Sequence, residues 1–246
     1  MTGIIDTTQA LSVVLDAIEG LPTNPPSLYI DLEGVKLSRY GSISILQLHI
    51  FPTSQTYLID IKTLGSKVFS TSGSSGRTFQ DVLESQEIQK VIFDVRRDSD
   101  ALFSHFNVRL EGIQDLQLME LATRSSRKSH VNGLSKCIEK DLSLSSADAS
   151  AFKATKEKGL KLFDPKLGGS YEVFNERPIS EEVRKYCIED VKYLPLLWAC
   201  YNRKLTPQWR AKVHTETKAR IALSQTANFN GDGKHMALAP SGWSYI

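Results

Sequence analysis

The sequence predicts an α/β protein with a mixed β-sheet whose faces are covered by helices. Three apolar runs follow one another between residues 27 and 61 with short polar connections, as in antiparallel hairpins. Further along the chain, strand-like and helix-like segments alternate, which is typical of parallel strands joined by helices. The chain has 246 residues, of which 41% are hydrophobic, and this suffices for one large domain with a substantial core.

The first predicted element is a helix, which we expect to pack on the domain as part of residues 1–24. Apolar residues recur at helical spacing from Thr8 to Gly20, and turn-forming residues up to Pro26 end the pattern. Three consecutive strands come next, because each run is rich in Ile, Leu and Tyr. Their sequences are SLYIDLEG, SISILQLHIF and QTYLIDI.

The middle of the chain supplies the alternating elements. Residues 70–79 have the Gly and Ser content of a flexible loop. After them the apolar patterns predict a short helix, a buried strand, a second helix, a strand end and a third helix. The corresponding segments are FQDVLES, KVIFDV, residues 98–107, GIQD and LQLMELATR.

The C-terminal third is predicted to be mainly helical. NGLSKCIEKDL and residues 181–205 have helical periodicity, whereas the Lys-rich segment 153–161 fits either a loop or a helix. Residues 206–246 form a partly irregular C-terminal extension, and from about Thr226 onward we expect an extended arm or disorder.

Charge and composition constrain the partners only weakly. Thirty basic and 28 acidic residues give a net charge of +2, so nucleic-acid contacts would need local clusters of positive charge. Three cysteines without zinc-site or disulfide spacing predict a reducing, intracellular environment, nuclear or cytoplasmic. The N-terminus lacks a secretory signal pattern and no run of 18 apolar residues occurs, so we expect neither export nor a membrane span.

The first candidate for chemistry is a pair of acids in the first predicted strand. Asp31 and Glu33 project to the same face because side chains alternate along a strand, while Leu32 points to the other face. Two like charges are costly to bury unless cations neutralise them, which makes the pair a candidate metal site. A solvated strand end is the alternative explanation for the pair.

The second candidate lies in a helix that begins after Ser180. Tyr186 and Asp190 are four residues apart, so they share one helix face about one turn from each other. For Tyr186 alone, an aromatic residue at the edge of the core is the alternative interpretation.

A third candidate is the acidic cluster that follows KVIFDV, namely Asp94, Asp98 and Asp100. One of these acids could reach the carboxylates of the first strand from the junction of strand and helix. Surface ion pairs with Arg96 and Arg97 explain the cluster equally well. The residues by themselves do not choose between these alternatives.

In their order along the chain, these motifs resemble those of the DEDD superfamily of 3′-5′ exonucleases, in the RNase D-like branch with tyrosine in the third motif. Asp31 and Glu33 match the first motif, and RPISEEVRKYCIEDVKYL, which contains Tyr186 and Asp190, matches the third. KVIFDVRRDSDALF resembles the second motif. There the family's usual His falls on Phe93, five residues before Asp98, and this spacing selects Asp98. The resemblance covers about residues 25–205, the expected exonuclease domain, and looks closest to eukaryotic exonuclease-domain proteins.

The resemblance implies a ribonuclease H-like sheet, with three antiparallel strands followed by parallel ones, and a site for two Mg²⁺ or Mn²⁺ ions. Asp31 would bridge both ions, Glu33 and Asp190 would complete the site of the ion that activates water, and Asp98 would hold the other through water. Tyr186 would orient the attacking water. Two such ions supply a nucleophile near neutral pH and absorb charge on the leaving oxygen.

The implied partner is nucleic acid, with RNA favoured over DNA through the resemblance. Phosphate contacts are the expected means of binding, and the lysines of segment 153–161 could contribute to them. The other candidate contacts are Arg124, Arg127, Lys128, His130 and Asn132. Two functions stay open: an exonuclease that releases nucleoside 5′-monophosphates from a 3′ end, and a weakly active or inactive RNA-binding or scaffold protein that keeps the fold.

Overall fold

A six-stranded β-sheet forms the centre of the computed structural model, which describes residues 3–243. The strand order is β1-β4-β3-β2-β5-β6. The strands are β1 (Gly3–Ile5), β2 (Leu28–Glu33), β3 (Ile45–Ile50), β4 (Gln55–Asp60), β5 (Lys90–Ile92) and β6 (Ile113–Asp115). β3 pairs antiparallel with β2 and with β4, whereas β5 pairs parallel with both β2 and β6. This arrangement confirms the predicted mixed sheet.

One strand was missed by the sequence reading. The three residues of β1 pair parallel with β4 at the edge of the sheet. Three residues are too few to produce a recognisable alternation of apolar and polar side chains. The predicted N-terminal helix is present as α1, Thr8–Ile18, directly after this strand.

The helices occupy both faces of the sheet. They are α1 (Thr8–Ile18), α2 (Ile61–Leu64), α3 (Lys67–Ser70), α4 (Phe79–Glu84), α5 (Arg96–Phe106), α6 (Leu116–Thr123), α7 (Leu134–Asp141), α8 (Ser146–Phe163), α9 (Glu181–Lys192), α10 (Leu194–Lys204) and α11 (Pro207–Ser224). None of these helices is long and apolar enough to cross a membrane.

Side-chain alternation divides the core between the two faces. Leu28, Ile30 and Leu32 of β2 pack in a cluster with residues of α1, α4 and α5. Tyr29 belongs to a second cluster with α6 and α10, while Ile45 of β3 joins residues of α9 in a third. The side chains of β2 at odd positions therefore face α6, α9 and α10.

The Lys-rich segment 153–161, which fitted a loop or a helix, lies within α8. Ser145 caps this helix, since its hydroxyl accepts a hydrogen bond from the backbone N–H of Asp148. Phe152 and Gly159 are its buried residues, while most of its lysines face solvent. A long helix with so narrow a buried stripe has weak apolar periodicity, which explains the ambiguity of the sequence.

The C-terminal extension contains a helix that the sequence reading missed, the 18-residue α11. Its buried stripe consists of Val213, Thr217, Arg220 and Ser224, of which only the first is apolar. A search for apolar periodicity therefore cannot find it.

After α11 the chain continues as an irregular arm packed on the domain. The backbone of residues 129–131 exchanges two hydrogen bonds with the arm, Val131 N–H to Ala237 C=O at 3.0 Å and Ala239 N–H to Ser129 C=O at 3.1 Å. Over the described residues the arm is therefore held against the domain, and it includes a short 3₁₀ helix at Lys234–Ala237. The end of the predicted arm, residues 244–246, lies outside the described residues.

Candidate active site

Two acids at the carboxyl end of β2 form the base of the site. Asp31 and Glu33 lie on the face of the sheet that α9 covers, and Gln47 of β3 is paired directly opposite Asp31. Side chains of directly opposed residues project to the same face, so Gln47 adjoins the acid pair. The strand thus presents two carboxylates to one point below α9.

Helix α9 brings Tyr186 and Asp190 over this acid pair. One carboxylate oxygen from each of Asp31, Glu33 and Asp190 lies within 4.8 Å of the others. Tyr186 is buried between these acids and an aromatic cluster, with the Phe163 ring centroid 5.0 Å from its own. The structure therefore brings four of the predicted site residues together.

The position of α9 is secured at its N-terminal side by an ion pair between the half-buried Arg177 and the buried Asp60. Arg177, shortly before the helix, donates to both carboxylate oxygens of Asp60 at 2.6 Å, and Asp60 is the last residue of β4. Ser180 then caps the helix by accepting the backbone N–H of Val183 at 3.3 Å. These contacts fix the start of α9 to the same edge of the sheet that carries the acids.

Of the three acids after β5, two have structural partners. The Asp94 carboxylate accepts two hydrogen bonds of 2.6 Å from the Arg96 guanidinium, and Asp100 pairs with Arg39 at 2.7 Å. Asp98 is buried and forms no ion pair with any residue in the described range 3–243. Asp98 lies outside the 4.8 Å group formed by the other three acids. The ion pairs give Asp94 and Asp100 structural roles. Asp98 has no such role and remains the candidate for the site.

Burial and mutual repulsion raise the pKa values of Asp31, Glu33 and Asp98. Burial, followed by the Asp190 carboxylate, raises the pKa of Asp31 to about 8. Burial, followed by the neighbouring Asp31, holds the pKa values of Glu33 and Asp98 well above their usual ranges. Such a cluster attracts cations strongly, because a bound cation relieves both the repulsion and the desolvation.

The residues present fit a divalent cation. The donors are carboxylate oxygens, which Mg²⁺ and Mn²⁺ prefer. Asp190 Oδ2 is buried without a hydrogen-bond partner among residues 3–243, as are both side-chain polar atoms of Gln47. Buried polar atoms are normally paired, so the unpaired Asp190 oxygen is available as a ligand to a cation.

Lys156 of α8 lies at the acid site, whereas the sequence had indicated it only as one of the lysines of segment 153–161 that could contact phosphate. Its ammonium group pairs with the Asp190 carboxylate and lies 4.0 Å from the centroid of the Tyr186 ring. Asp190 is buried and Lys156 is largely covered, with exposed side-chain fractions of 6% and 12%. Sequence spacing could not reveal this contact because 34 residues separate the two partners.

Gly159, one turn further along α8, allows this close approach. A Cβ atom at this position would lie 2.1 Å from Cδ2 of Tyr186. Helix α8 therefore packs on the tyrosine ring only because the residue has no side chain.

A network of buried hydrogen bonds and ion pairs holds the start of α5, the helix that carries Asp98. The Asp115 carboxylate accepts the backbone N–H groups of Asp94 and Val95 at 3.2 and 3.4 Å, immediately before α5. Arg220 of α11 pairs with Asp115 at 2.7 Å. The C-terminal extension thus helps to hold the start of the helix that carries Asp98, which the sequence did not indicate.

The predicted nucleic-acid contacts separate into two groups. Arg124 pairs with Glu120, and the Asn132 side chain donates to the same carboxylate at 3.1 Å, so both have structural roles. Arg127 and His130 are exposed and Lys128 is half-buried. The three residues of the second group remain available to a ligand.

Comparison with known proteins identifies the class of this protein. The chain belongs to the 3′-5′ exonuclease family, whose sequence model matches residues 3–206. This confirms the family inferred from the three motifs.

Individual relatives cover different parts of the chain. The piRNA biogenesis protein EXD1 of Xenopus laevis is 29% identical over 177 residues, which are 70% of this chain and 36% of that protein. EXD1 of Mus musculus is 33% identical over 94 residues, 38% of this chain and 15% of the relative. The chain therefore spans about a third or less of the length of these curated relatives.

Solved structures show the same fold. RNase D from Trypanosoma brucei, in a complex with GMP, has a TM-score of 0.76 at 23% identity and covers 98% of this chain and 70% of its own. RNase D from Escherichia coli has a TM-score of 0.62 at 18% identity, with 91% and 50% covered. NrnC from Brucella melitensis with bound Mg²⁺ has a TM-score of 0.56 at 18% identity, with 94% and 98% covered.

Proposed function

We propose that this protein is a divalent-metal-dependent 3′-5′ exonuclease that shortens single-stranded RNA from its 3′ end and releases nucleoside 5′-monophosphates. The observation that carries the proposal is the convergence of Asp31, Glu33 and Asp190 within 4.8 Å, in a chain of the 3′-5′ exonuclease family. RNA is the proposed substrate because a structural relative, RNase D of Trypanosoma brucei, has been solved with the RNA U12.

Two divalent ions, Mg²⁺ or Mn²⁺, would be held by the four acids and would supply an activated water and a counter-charge for the leaving oxygen. The proposed ligands are Asp31, Glu33, Asp98 and Asp190. The raised pKa values of Asp31, Glu33 and Asp98 mean that protons compete with the ions for these carboxylates, so we expect metal binding to strengthen as pH rises through about 8, the pKa of Asp31.

Tyr186 would act as a hydrogen-bond donor and not as a base. Burial, followed by the Asp190 carboxylate, raises the pKa of its hydroxyl far above its usual range, so the group keeps its proton at neutral pH. A fixed O–H dipole beside Asp190 can orient a water molecule for attack in line with the leaving oxygen.

Lys156 would contribute a positive charge at the same point. Its ammonium group lies between the Tyr186 ring and Asp190, where the phosphate of a bound 3′ end would add negative charge to an already acidic site. A largely covered ammonium offsets part of that repulsion and can donate to a phosphate oxygen.

The test is incubation of 5′-labelled single-stranded RNA and DNA with Mg²⁺, with Mn²⁺ or with EDTA. A metal-dependent ladder that shortens from the 3′ end supports the proposal, and binding without shortening under any metal supports an RNA-binding or scaffold protein instead. We expect Asp31→Asn and Asp190→Asn to abolish cleavage, while Glu157→Gln on the exposed face of α8 leaves it unchanged.

The second motif has its own test, which compares the three acids after β5. Asp98→Asn should lose more activity than Asp94→Asn or Asp100→Asn, measured alongside the melting temperature. The ion pairs of Asp94 and Asp100 predict that their variants lose stability first. The reverse order of activity losses would overturn the assignment of Asp98.

A further inference from the structure

A second charged feature lies outside the acid site, around Trp209 at the start of α11. The ammonium groups of Lys128 and Lys212 lie 4.8 and 4.9 Å from the centroid of the indole ring. Trp243 contacts the same ring edge-on, with 5.0 Å between centroids. The tryptophan thus joins two segments of the chain that are far apart in sequence and holds one lysine from each.

Both segments are free of acidic residues. Residues 124–131 and 201–214 contain no Asp or Glu. Their cations other than Arg124 form what we call the basic patch: Arg127, Lys128, Arg203, Lys204, Arg210 and Lys212. Within segment 201–214, the Arg210 guanidinium donates to Asn202 Oδ1 at 2.7 Å, which holds Arg210 close to Arg203.

The basic patch differs in charge from the rest of the chain. None of its six cations forms an ion pair within the described part of the chain, whereas Lys153, Lys158 and Lys185 each pair with a glutamate. Without the six, the chain has 24 basic and 28 acidic residues. The small net charge of the whole chain therefore conceals a strongly positive surface on an otherwise acidic protein, and such a surface attracts polyanions.

The basic patch is connected to the acid site by a short loop. Lys128 precedes Asn132 by four residues, which limits the distance between them to about 14 Å. The Asn132 carbonyl accepts the side-chain amide of Gln117 at 3.1 Å, and the Gln117 backbone N–H donates to Asp115, which supports the start of α5. A nucleic-acid strand whose 3′ end is bound at Asp98 could therefore extend along this loop to the basic patch.

We infer that the basic patch binds the phosphate backbone of single-stranded nucleic acid upstream of the 3′ end that enters the acid site. The inference rests on the proposed exonuclease function. Lysine and arginine side chains donate to phosphates and read no base sequence, so this binding is independent of sequence. An anionic membrane is a poorer fit, because the large exposed hydrophobic residues of the described chain lie outside segments 124–131 and 201–214.

The test measures binding of a fluorescent single-stranded RNA in EDTA, where cleavage is blocked. The variant Lys128→Gln/Lys212→Gln removes two patch cations, and the matched control Lys67→Gln/Lys185→Gln removes two exposed lysines of α3 and α9. We expect the patch variant to bind several-fold more weakly and its slope of log K against log salt to fall by about 1.4. The control should keep the slope of the native protein, and equal losses in both variants would overturn the inference.

Two further arms separate this inference from the proposed function. Cleavage of a dinucleotide, which is too short to reach the basic patch, should be equal in the native protein and the patch variant. If no substrate is cleaved but RNA binding still depends on the patch, the exonuclease proposal fails and the patch stands. Patch-dependent binding to vesicles containing phosphatidylserine, with RNA binding unaffected by the substitutions, would overturn the patch as a nucleic-acid surface.

Discussion

Replacing Lys156 by methionine should strengthen the binding of divalent ions. Methionine keeps the apolar stem that packs on Tyr186 but removes the ammonium group that contacts Asp190. At about 5 Å and an effective dielectric constant near 20, a unit charge repels a divalent ion by roughly 7 kcal/mol. The flexible lysine can move away and avoid most of this, so we expect a gain of about 1.4 kcal/mol, or tenfold in affinity.

A competing effect has to be separated in the assay. Lys156 also lowers the pKa values of Asp31 and Glu33, so its removal lets protons compete more strongly with the metal. The ammonium group repels a doubly charged metal ion, whereas the competing proton carries a single charge. Competition by protons also fades as the pH rises. The predicted gain should therefore be larger at pH 9 than at pH 7, as measured by calorimetric titration with Mn²⁺.

Lys158→Met is the matched control, because Lys158 lies on the exposed side of α8 and pairs with Glu182 of α9. Its Mn²⁺ affinity should equal that of the native protein. Without metal, Lys156→Met should also unfold more easily, by about 1–3 kcal/mol, because the buried Asp190 loses its only ion-pair partner among the described residues. Unchanged or weaker Mn²⁺ binding at both pH values would refute the assignment of Lys156 to the metal site.

Three other changes test the supporting structure. Gly159→Ala should lower the melting temperature and kcat together, because the added Cβ displaces the Tyr186 ring by overlap at 2.1 Å, whereas Gly3→Ala, whose added Cβ meets only ordinary contacts of 3.8 Å or more, should lower neither. Arg177→Met should cost about 2–4 kcal/mol in denaturant unfolding by leaving the buried Asp60 unpaired, and the exposed Lys185→Met less than about 1 kcal/mol. Burial lowers the pKa of Lys90 to about 7, so from pH 7 to pH 10 the unfolded chain binds a proton that the folded chain lacks. The unfolding free energy contributed by this residue therefore rises with pH across that window, by on the order of a few kcal/mol, and Lys90→Met should remove the rise.

For each of these three predictions, one result would contradict the reasoning. Normal activity in Gly159→Ala would mean that α8 does not position Tyr186. An Arg177→Met variant as stable as the native protein would show that the ion pair with Asp60 does not hold α9. An identical pH dependence of stability in Lys90→Met would place the lysine ammonium in solvent, contrary to its hydrogen bonds with the carbonyl groups of Val82 and Ser85.

Local patterns in the chain were sufficient to predict most of the sheet and part of the candidate site. Alternation along β2 places Asp31 and Glu33 on one face whatever the rest of the chain does, because the period of a strand is two. Helical spacing likewise places Tyr186 and Asp190 on one face of α9. The order of these pairs along the chain was enough to indicate the family, which the sequence model for residues 3–206 confirms.

Only the tertiary structure decided which residues that are distant in the chain come into contact. Asp94, Asp98 and Asp100 look alike in sequence, and they differ because Arg96 and Arg39 pair with two of them and not with the third. Lys156 meets Asp190 across 34 residues, and the partly polar stripe of α11 becomes buried because Arg220 finds Asp115 on β6. Periodicity reports which residues share a face of one element, whereas pairing of charges depends on which elements pack together, and that is settled only when the whole chain folds.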